Sequence, residues 1–129
     1  MKESLELTIT LSTTPSDVYN AFLNSEKHSE MTGGEAIFNN EIGGKFTAWD
    51  GYISGENKSL IENEEIIQSW RTTDFDESDE DSELILRFKE SNSGCELTLI
   101  HANIPEGETQ YNQGWEDHYF TPMKEYFNK

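Results

Sequence analysis

The sequence contains three histidines, the residues best suited to acid–base chemistry near neutral pH. His101 and His118 lie on inward or partly inward faces of predicted elements. Catalysis by either would need a pKa of about 7 and a carboxylate, such as Glu56 or Glu35, to orient the ring. A hydrogen-bonded structural histidine is the favoured alternative. Because His28, His101 and His118 belong to three separate elements, and their spacing matches no metal-ligand motif, we predict no metal and no cofactor.

Cys95 is the single cysteine, so an intramolecular disulfide is excluded. It follows a predicted turn, and no helix start or basic cluster lies nearby in sequence to lower its pKa. We therefore expect an inert, partly buried thiol. The N-terminal segment has no apolar signal core, and no apolar run is long enough to span a bilayer. These features predict a cytoplasmic protein with no membrane insertion.

Acidic residues dominate the composition, with 26 Asp and Glu against 9 Lys and Arg and a net charge of −17. Nucleic-acid binding draws most of its affinity from Lys and Arg that release counterions, and anionic membrane surfaces attract basic segments. The composition therefore excludes nucleic acid and anionic membranes as partners. The 7 Phe, 5 Tyr and 3 Trp nevertheless supply enough large side chains for a folded core.

Seven of the acids lie within residues 74–83. An EF-hand loop starting there would need glycine and glutamate where the sequence has Asp79 and Ile85, so calcium binding is not predicted. We expect a mobile, solvated loop, with a docking site for a basic partner as the alternative. Arg71 could hold an anionic ligand, but the alternation that turns Trp70 inward turns Arg71 outward, which favours a surface ion pair.

The N-terminal part of the chain predicts a strand followed by two short helices. Apolar residues alternate over positions 5–11, as in a strand with one buried face. Thr14, Pro15 and Asp17 then provide an N-cap, a first-turn proline and a capping-box acid. A second helix is predicted to begin near residue 24 or 25 and to end before Gly33.

Residues 35–103 alternate with a period of two and contain regular turn signals, of which Asp50-Gly51 is the strongest. The predicted strands span residues 35–38, 45–49, 52–61, 66–72, 83–90 and 95–103. Together with the first strand they make an antiparallel meander of about seven strands.

A terminal helix of about 18 residues follows, because the apolar period returns to 3.6. Its stripe comprises Tyr111, Trp115, Tyr119 and Met123. Pro122 inside this helix predicts a kink at residues 118–122. A curved antiparallel sheet and one long helix bury their apolar faces when the sheet wraps around the helix. We therefore predict an α+β fold in a single domain, residues 1–129.

Several segments in these elements resemble a known family, in family order and over nearly the whole chain. They are TPSDVY (14–19), EKHSEMTGGEA (26–36), IGGKF (42–46), GYISGEN (51–57), IIQSWR (66–71), LTLIH (97–101) and GW (114–115) with Tyr119. The chain resembles single-domain relatives of the activator of the ninety-kilodalton heat-shock protein ATPase. These belong to the START-related, birch-pollen-allergen-like superfamily (SRPBCC).

The resemblance implies a helix-grip fold, in which the sheet and the long helix enclose an elongated cavity that commonly holds lipids or aromatic metabolites. Ten side chains are candidates to line that cavity: Met31, Phe46, Trp49, Tyr52, Trp70, Phe88, His101, Trp115, Tyr119 and Met123. A plain hydrophobic core of the same residues remains the alternative. The expected ligand is small, mostly apolar or aromatic, and neutral or cationic.

The leading functional hypothesis is therefore a non-enzymatic small-molecule binding domain. The resemblance also implies an alternative, a chaperone-associated interaction protein, with the heat-shock ATPase as its partner. Nothing in the chain matches the further N-terminal domain with which the co-chaperone stimulates that ATPase. A third hypothesis from the same superfamily is a cyclase or hydrolase that uses His101 or His118 with a tyrosine.

Overall fold

The computed structural model describes residues 3–92, 94–105 and 110–127. The strands are β1 (Glu3–Leu11), β2 (Lys45–Ala48), β3 (Ile53–Ile61), β4 (Glu65–Thr72), β5 (Ser82–Ser91) and β6 (Gly94–Ile104). The helical segments are α1 (Pro15–Leu23), α2 (Ser25–Thr32), α3 (Tyr111–Trp115), a π-helical segment (Glu116–Phe120) and α4 (Thr121–Phe127). The last three are continuous and are called the terminal helix below. The predicted α+β fold class is confirmed.

All six strands form one antiparallel sheet in the order β1-β6-β5-β4-β3-β2. The register aligns the buried faces of neighbouring strands. Gln68 pairs with Leu84, and Leu84 pairs with His101. All three side chains are buried. One face of the sheet is therefore covered along its whole width, as the alternation in the sequence predicts.

The two short helices after β1 begin as predicted. The Thr14 hydroxyl accepts a hydrogen bond from the Asp17 N–H at 3.1 Å and caps α1. The Asn24 side chain caps α2 through the Lys27 N–H at 2.9 Å. Gly33, with φ 89°, ends α2 in the left-handed conformation that glycine adopts most readily. These local signals set where the short helices begin and where α2 ends.

Residues 35–38, predicted as a strand, do not form one, so the sheet has six strands and not seven. Ile37 makes only an isolated bridge with Thr47 of β2. On the other side, the Phe38 N–H donates to Ser25 Oγ of α2 at 2.7 Å. A serine hydroxyl therefore takes the hydrogen bond that a further strand would have made.

The turn between β2 and β3 begins one residue earlier than predicted. Trp49 and Asp50 have φ values of 53° and 58°. The Gly51 N–H donates to the Ala48 carbonyl at 3.2 Å. Two successive positive φ values are typical of a type I′ hairpin turn. Trp49, predicted as the end of a strand, thus lies in the turn, in a conformation that bulky residues rarely adopt.

The terminal helix is irregular near Pro122, where the sequence predicts a kink. The irregularity is the π-helical segment, in which the Thr121 N–H donates to the Glu116 carbonyl, five residues earlier. A proline inside an α-helix lacks the N–H and clashes with the carbonyl four residues before it, here that of His118. The wider π-turn just before Pro122 accommodates this defect.

The acidic loop between β4 and β5 is held more firmly than predicted. Its carboxylates lie mostly at the surface, as expected. Its Phe75, however, is only 7% exposed and packs against the Trp70 ring. The Arg71 guanidinium donates to the carbonyls of Asp76 and Asp79, and also to a carboxylate of the loop. A buried ring and one arginine therefore tie down the segment that the sequence predicted to be mobile.

Candidate functional site

A pocket of about 550 Å³ lies between the terminal helix and the β2–β3 end of the sheet. Twelve residues line it: Trp49, Tyr52, Ile53, Trp70, Gln110, Tyr111, Gln113, Gly114, Trp115, Asp117, His118 and Tyr119. We call its buried residues the deep wall: Ile53, Trp70, Tyr111, Trp115 and Tyr119. The half-buried and exposed remainder forms the mouth. The volume is within the range of sites for small organic ligands.

Five of the ten side chains predicted to line a cavity lie in this pocket, namely Trp49, Tyr52, Trp70, Trp115 and Tyr119. The other five are buried in the core and do not line it: Met31, Phe46, Phe88, His101 and Met123. Elsewhere α1 packs directly on the sheet, where Tyr19 of α1 meets Phe88 edge to face with 5.7 Å between ring centroids. The pocket therefore occupies one end of the grip.

Trp70 forms the centre of the deep wall. It stands nearly perpendicular to Tyr111, with 5.2 Å between ring centroids, and lies 5.4 Å from Trp115. Trp115 in turn lies 4.9 Å from Tyr119, one helical turn further on. The four rings come from β4 and from one face of the terminal helix, so the helix must keep its position for this wall to exist.

His101 holds the helix from the sheet side. The Trp115 indole N–H donates to His101 Nδ1 at 3.1 Å. The Ser82 hydroxyl donates its one hydrogen to the Trp70 carbonyl. Its oxygen is therefore the acceptor in the 2.7 Å hydrogen bond with His101, and His101 Nε2–H is the donor. Both ring nitrogens are thus used in the neutral form, and burial lowers the pKa of His101 to about 3.

His28 holds the helix from the α2 side and was not among the residues predicted to line a site. Its Nδ1–H donates to the Phe22 carbonyl at 2.8 Å, which leaves Nε2 to accept from the Tyr119 hydroxyl at 2.8 Å. Burial lowers the pKa of His28 to about 4, against the opposing effect of the Phe22 carbonyl. Burial also raises the pKa of the Tyr119 phenol well above its ordinary value.

These bonds decide what the histidines can do chemically. His101 has Ser82 and Trp115 as partners, and not the predicted carboxylates Glu35 or Glu56. Neither buried imidazole has a free nitrogen to accept a proton from a substrate. His118 differs, because it lies at the mouth with its ring edge-on to Trp49 at 5.3 Å.

Cys95 and the acidic residues are the other candidates for reactive or metal-binding groups. Cys95 is fully buried, and burial raises the pKa of its thiol to about 11, which agrees with the predicted inert cysteine. Within residues 3–92, 94–105 and 110–127, no three His, Cys, Asp or Glu side chains are grouped closely enough to hold a metal ion.

Trp49 joins the pocket to α2 and has an unsatisfied polar atom. A Cβ built on Gly34 would lie 2.4 Å from its indole Cε3, so glycine is what permits this close approach. Its indole Nε1 is buried and has no hydrogen-bond partner among the described residues. A strained backbone and an unpartnered donor in one residue are features that concentrate at ligand sites.

The mouth carries the polar groups of the pocket. The Tyr52 hydroxyl donates to a carboxylate oxygen of Asp74, and Gln113 Nε2 donates to Asp117 Oδ1 at 2.9 Å. Asp117 and Gln113 were not predicted as site residues. The only sequence signal for them is that both lie within two residues of Trp115 on the predicted terminal helix. Gly114 lies between Gln113 and Trp115, and its lack of a side chain leaves open space there.

The described part of the chain has no helix that is both long and apolar enough to cross a membrane. Residues 12–128 match the family described as "Activator of Hsp90 ATPase homolog 1-like protein". The human "Activator of 90 kDa heat shock protein ATPase homolog 1" is 31% identical over 119 residues, which cover 92% of this chain and 35% of that protein. The "Activator of 90 kDa heat shock protein ATPase homolog" of Dictyostelium discoideum is 28% identical over 98% of this chain and 33% of its own length.

This chain therefore spans about a third of the length of these curated relatives. Among solved structures, the Plasmodium falciparum protein PFC0360w, described as an HSP90 activator, has a TM-score of 0.87 and 26% identity. That match covers 97% of this chain and 96% of the other. The family match, the relatives and the shared helix-grip fold agree with the resemblance found in the sequence. The chain belongs to the family of activator of Hsp90 ATPase homolog 1-like proteins.

Proposed function

We propose that this protein binds a small, largely apolar or aromatic molecule in the pocket between the terminal helix and the sheet. The observation that carries the proposal is the pocket of about 550 Å³ itself, because four of the five residues of its deep wall are aromatic and come from two different elements. Clefts of this size lined mainly by apolar and aromatic side chains are typical of sites for small organic ligands. The aromatic deep wall would supply the apolar contact.

Gly114 offers a direct test, because it lines the pocket and a Cβ added there meets nothing within 4 Å. Gly114→Leu should fill the pocket without straining the fold and should add helix propensity of about 0.5–1 kcal/mol. The matched control is Asn112→Leu, an exposed position two residues earlier that does not line the pocket. The two variants add the same side chain to the same helix.

A library of lipids and aromatic metabolites is screened by NMR, with the indole N–H signals of Trp49, Trp70 and Trp115 as reporters, since all three line the pocket. We expect ligands that shift these signals in the wild type and in Asn112→Leu. Their affinity should fall at least about tenfold in Gly114→Leu, because the volume they need is taken. The absence of any such ligand, or equal binding to both variants, would overturn the proposal.

The family match favours a second candidate function, interaction with the Hsp90 chaperone. It is supported by the human activator, of which this chain covers 35% at 31% identity, and by the structural likeness to the Plasmodium HSP90 activator. The test is to add the purified chain to purified Hsp90 and to measure both retention in a pull-down and the ATPase rate. Retention together with a rate increase supports this function; no retention and an unchanged rate exclude it.

A further inference from the structure

The rings around the pocket form more than an apolar wall. Six aromatic side chains line it: Trp49, Tyr52, Trp70, Tyr111, Trp115 and Tyr119. They include every tryptophan of the chain. The ring centroid of Trp70 lies 5.2 Å from that of Tyr111 and 5.4 Å from that of Trp115, so these rings border the same space. Aromatic faces carry partial negative charge, and several rings around one space are the arrangement that attracts an organic cation.

The charges around the pocket have the same sign. Asp117 lies at the mouth, and the Asp74 carboxylate accepts a hydrogen bond from the Tyr52 hydroxyl. No lysine or arginine is among the residues that line the pocket in the described part of the chain. Arg71, the basic neighbour of Trp70, is already bonded to three oxygen atoms of the acidic loop. The net charge of −17 of the whole protein adds to the negative potential at the mouth.

We propose that the pocket selects an organic cation of the alkylammonium class over neutral and anionic molecules of the same shape. This inference rests on the proposed function and names its ligand class. A quaternary ammonium group has no proton to donate, so it loses little hydrogen bonding when it leaves water. It gains cation–π attraction from the deep wall and Coulomb attraction from Asp117.

The test uses three soluble probes with the same branched head. Choline carries a trimethylammonium group, 3,3-dimethylbutan-1-ol is its neutral isostere, and 3,3-dimethylbutanoate is an anion of similar shape. Dissociation constants are measured from the shifts of the three indole N–H signals. We expect choline to bind about tenfold more tightly than the neutral alcohol. The anion should bind more weakly than either.

The outcomes separate this inference from the proposed function. If the alcohol or the anion binds as tightly as choline, the cation preference is wrong, while small-molecule binding stands. If none of the three probes binds but neutral library ligands do, the cation preference is also wrong. If neither the probes nor the library shift the indole signals, the proposed function fails together with the inference.

Two neighbouring acids provide a matched pair of variants. Asp117→Asn removes the carboxylate that lines the pocket, and Glu116→Gln removes the same charge from an exposed neighbour that does not line it. We expect Asp117→Asn to weaken choline binding about three- to tenfold and to leave the affinity for the neutral alcohol unchanged. Glu116→Gln should weaken choline binding by less than about twofold. Equal losses in both variants would overturn the role assigned to Asp117.

Discussion

The deep wall and the mouth of the pocket are held by different kinds of contact. Behind the deep wall, Trp115 and Tyr119 donate to two fully buried imidazoles, His101 and His28. These histidines come from a strand and from a short helix, yet each uses both of its nitrogens. At the mouth, hydrogen bonds join side chains that are largely exposed, such as that of Tyr52.

This difference shows how one helix can be fixed on one side and adaptable on the other. Water replaces a broken hydrogen bond at an exposed site at little cost, whereas a buried group without a partner pays its full desolvation cost. The deep wall should therefore be rigid and sensitive to substitution, and the mouth should tolerate change.

The stability of the deep wall should depend on pH. The folded-state pKa values of His28 and His101, about 4 and about 3, lie below the ordinary 6.5. Above pH 6.5 the imidazoles are neutral in both states; below it, the unfolded chain binds protons that the folded protein does not. Each histidine should then lower the free energy of unfolding with a slope that approaches about 1.4 kcal/mol per pH unit, which makes about 3 kcal/mol for both between pH 6.5 and 5. Urea denaturation across this range measures the loss.

Single replacements separate the contributions of His28 and His101 to the pH dependence of stability. His28→Gln or His101→Gln should lower the overall stability and remove about half of the slope with pH. In the wild type, the NMR signals of two imidazole rings should stay in the neutral form down to about pH 5. A slope that survives the loss of either buried histidine would contradict the assignment.

The fold could be predicted from the sequence because its signals are local. Alternation predicted all six observed strands within a few residues of their bounds, and capping residues predicted both short helices. The remaining predicted strand, at residues 35–38, failed because the partner of Phe38 is a serine on another element. Periodicity shows which face of a segment is buried, but it does not show what covers the backbone.

The candidate site was only half predictable for a related reason. Inward-facing aromatics were identifiable from their periodicity, but which of them border an empty space depends on how the helix lies over the sheet. The bond between His28 and Tyr119 joins positions 91 residues apart, and no local pattern reveals it. Trp49 was assigned to a strand, because its turn conformation depends on its packing against Gly34 as well as on the turn residues.

Variants that lack a single hydroxyl or N–H group compare the stability contributions of the deep wall and the mouth. Tyr119→Phe removes the donor to His28, and Trp115→Phe removes the donor to His101; each should cost about 1–3 kcal/mol of unfolding free energy. The tryptophan change should cost more, since it also loses ring volume. Tyr52→Phe removes a hydroxyl at the mouth and should cost less than about 1 kcal/mol.

These three variants are compared by urea denaturation at pH 7.5, where the two buried histidines are neutral in both states. Tyr119→Phe and Tyr52→Phe each remove only a hydroxyl, so the difference between these two variants reports mainly on the lost polar group. A cost at Tyr52 as large as that at Tyr119 would end the distinction between a rigid wall and an adaptable mouth.

A local effect, smaller than those at the deep wall, is expected at the acidic loop beside the mouth. Arg71→Lys keeps the charge but loses the planar fork that reaches two loop carbonyls and Asp81, so we expect a loss of about 1 kcal/mol. The matched control is Arg87→Lys, at an exposed ion pair with Glu65, where the loss should stay below about 0.5 kcal/mol. Amide hydrogen exchange distinguishes a local from a global effect: in Arg71→Lys the loop amides should exchange faster while those of β6 keep their protection. Faster exchange throughout the sheet would mean that the loop belongs with the rigid deep wall, because Phe75 would then transmit the change to Trp70.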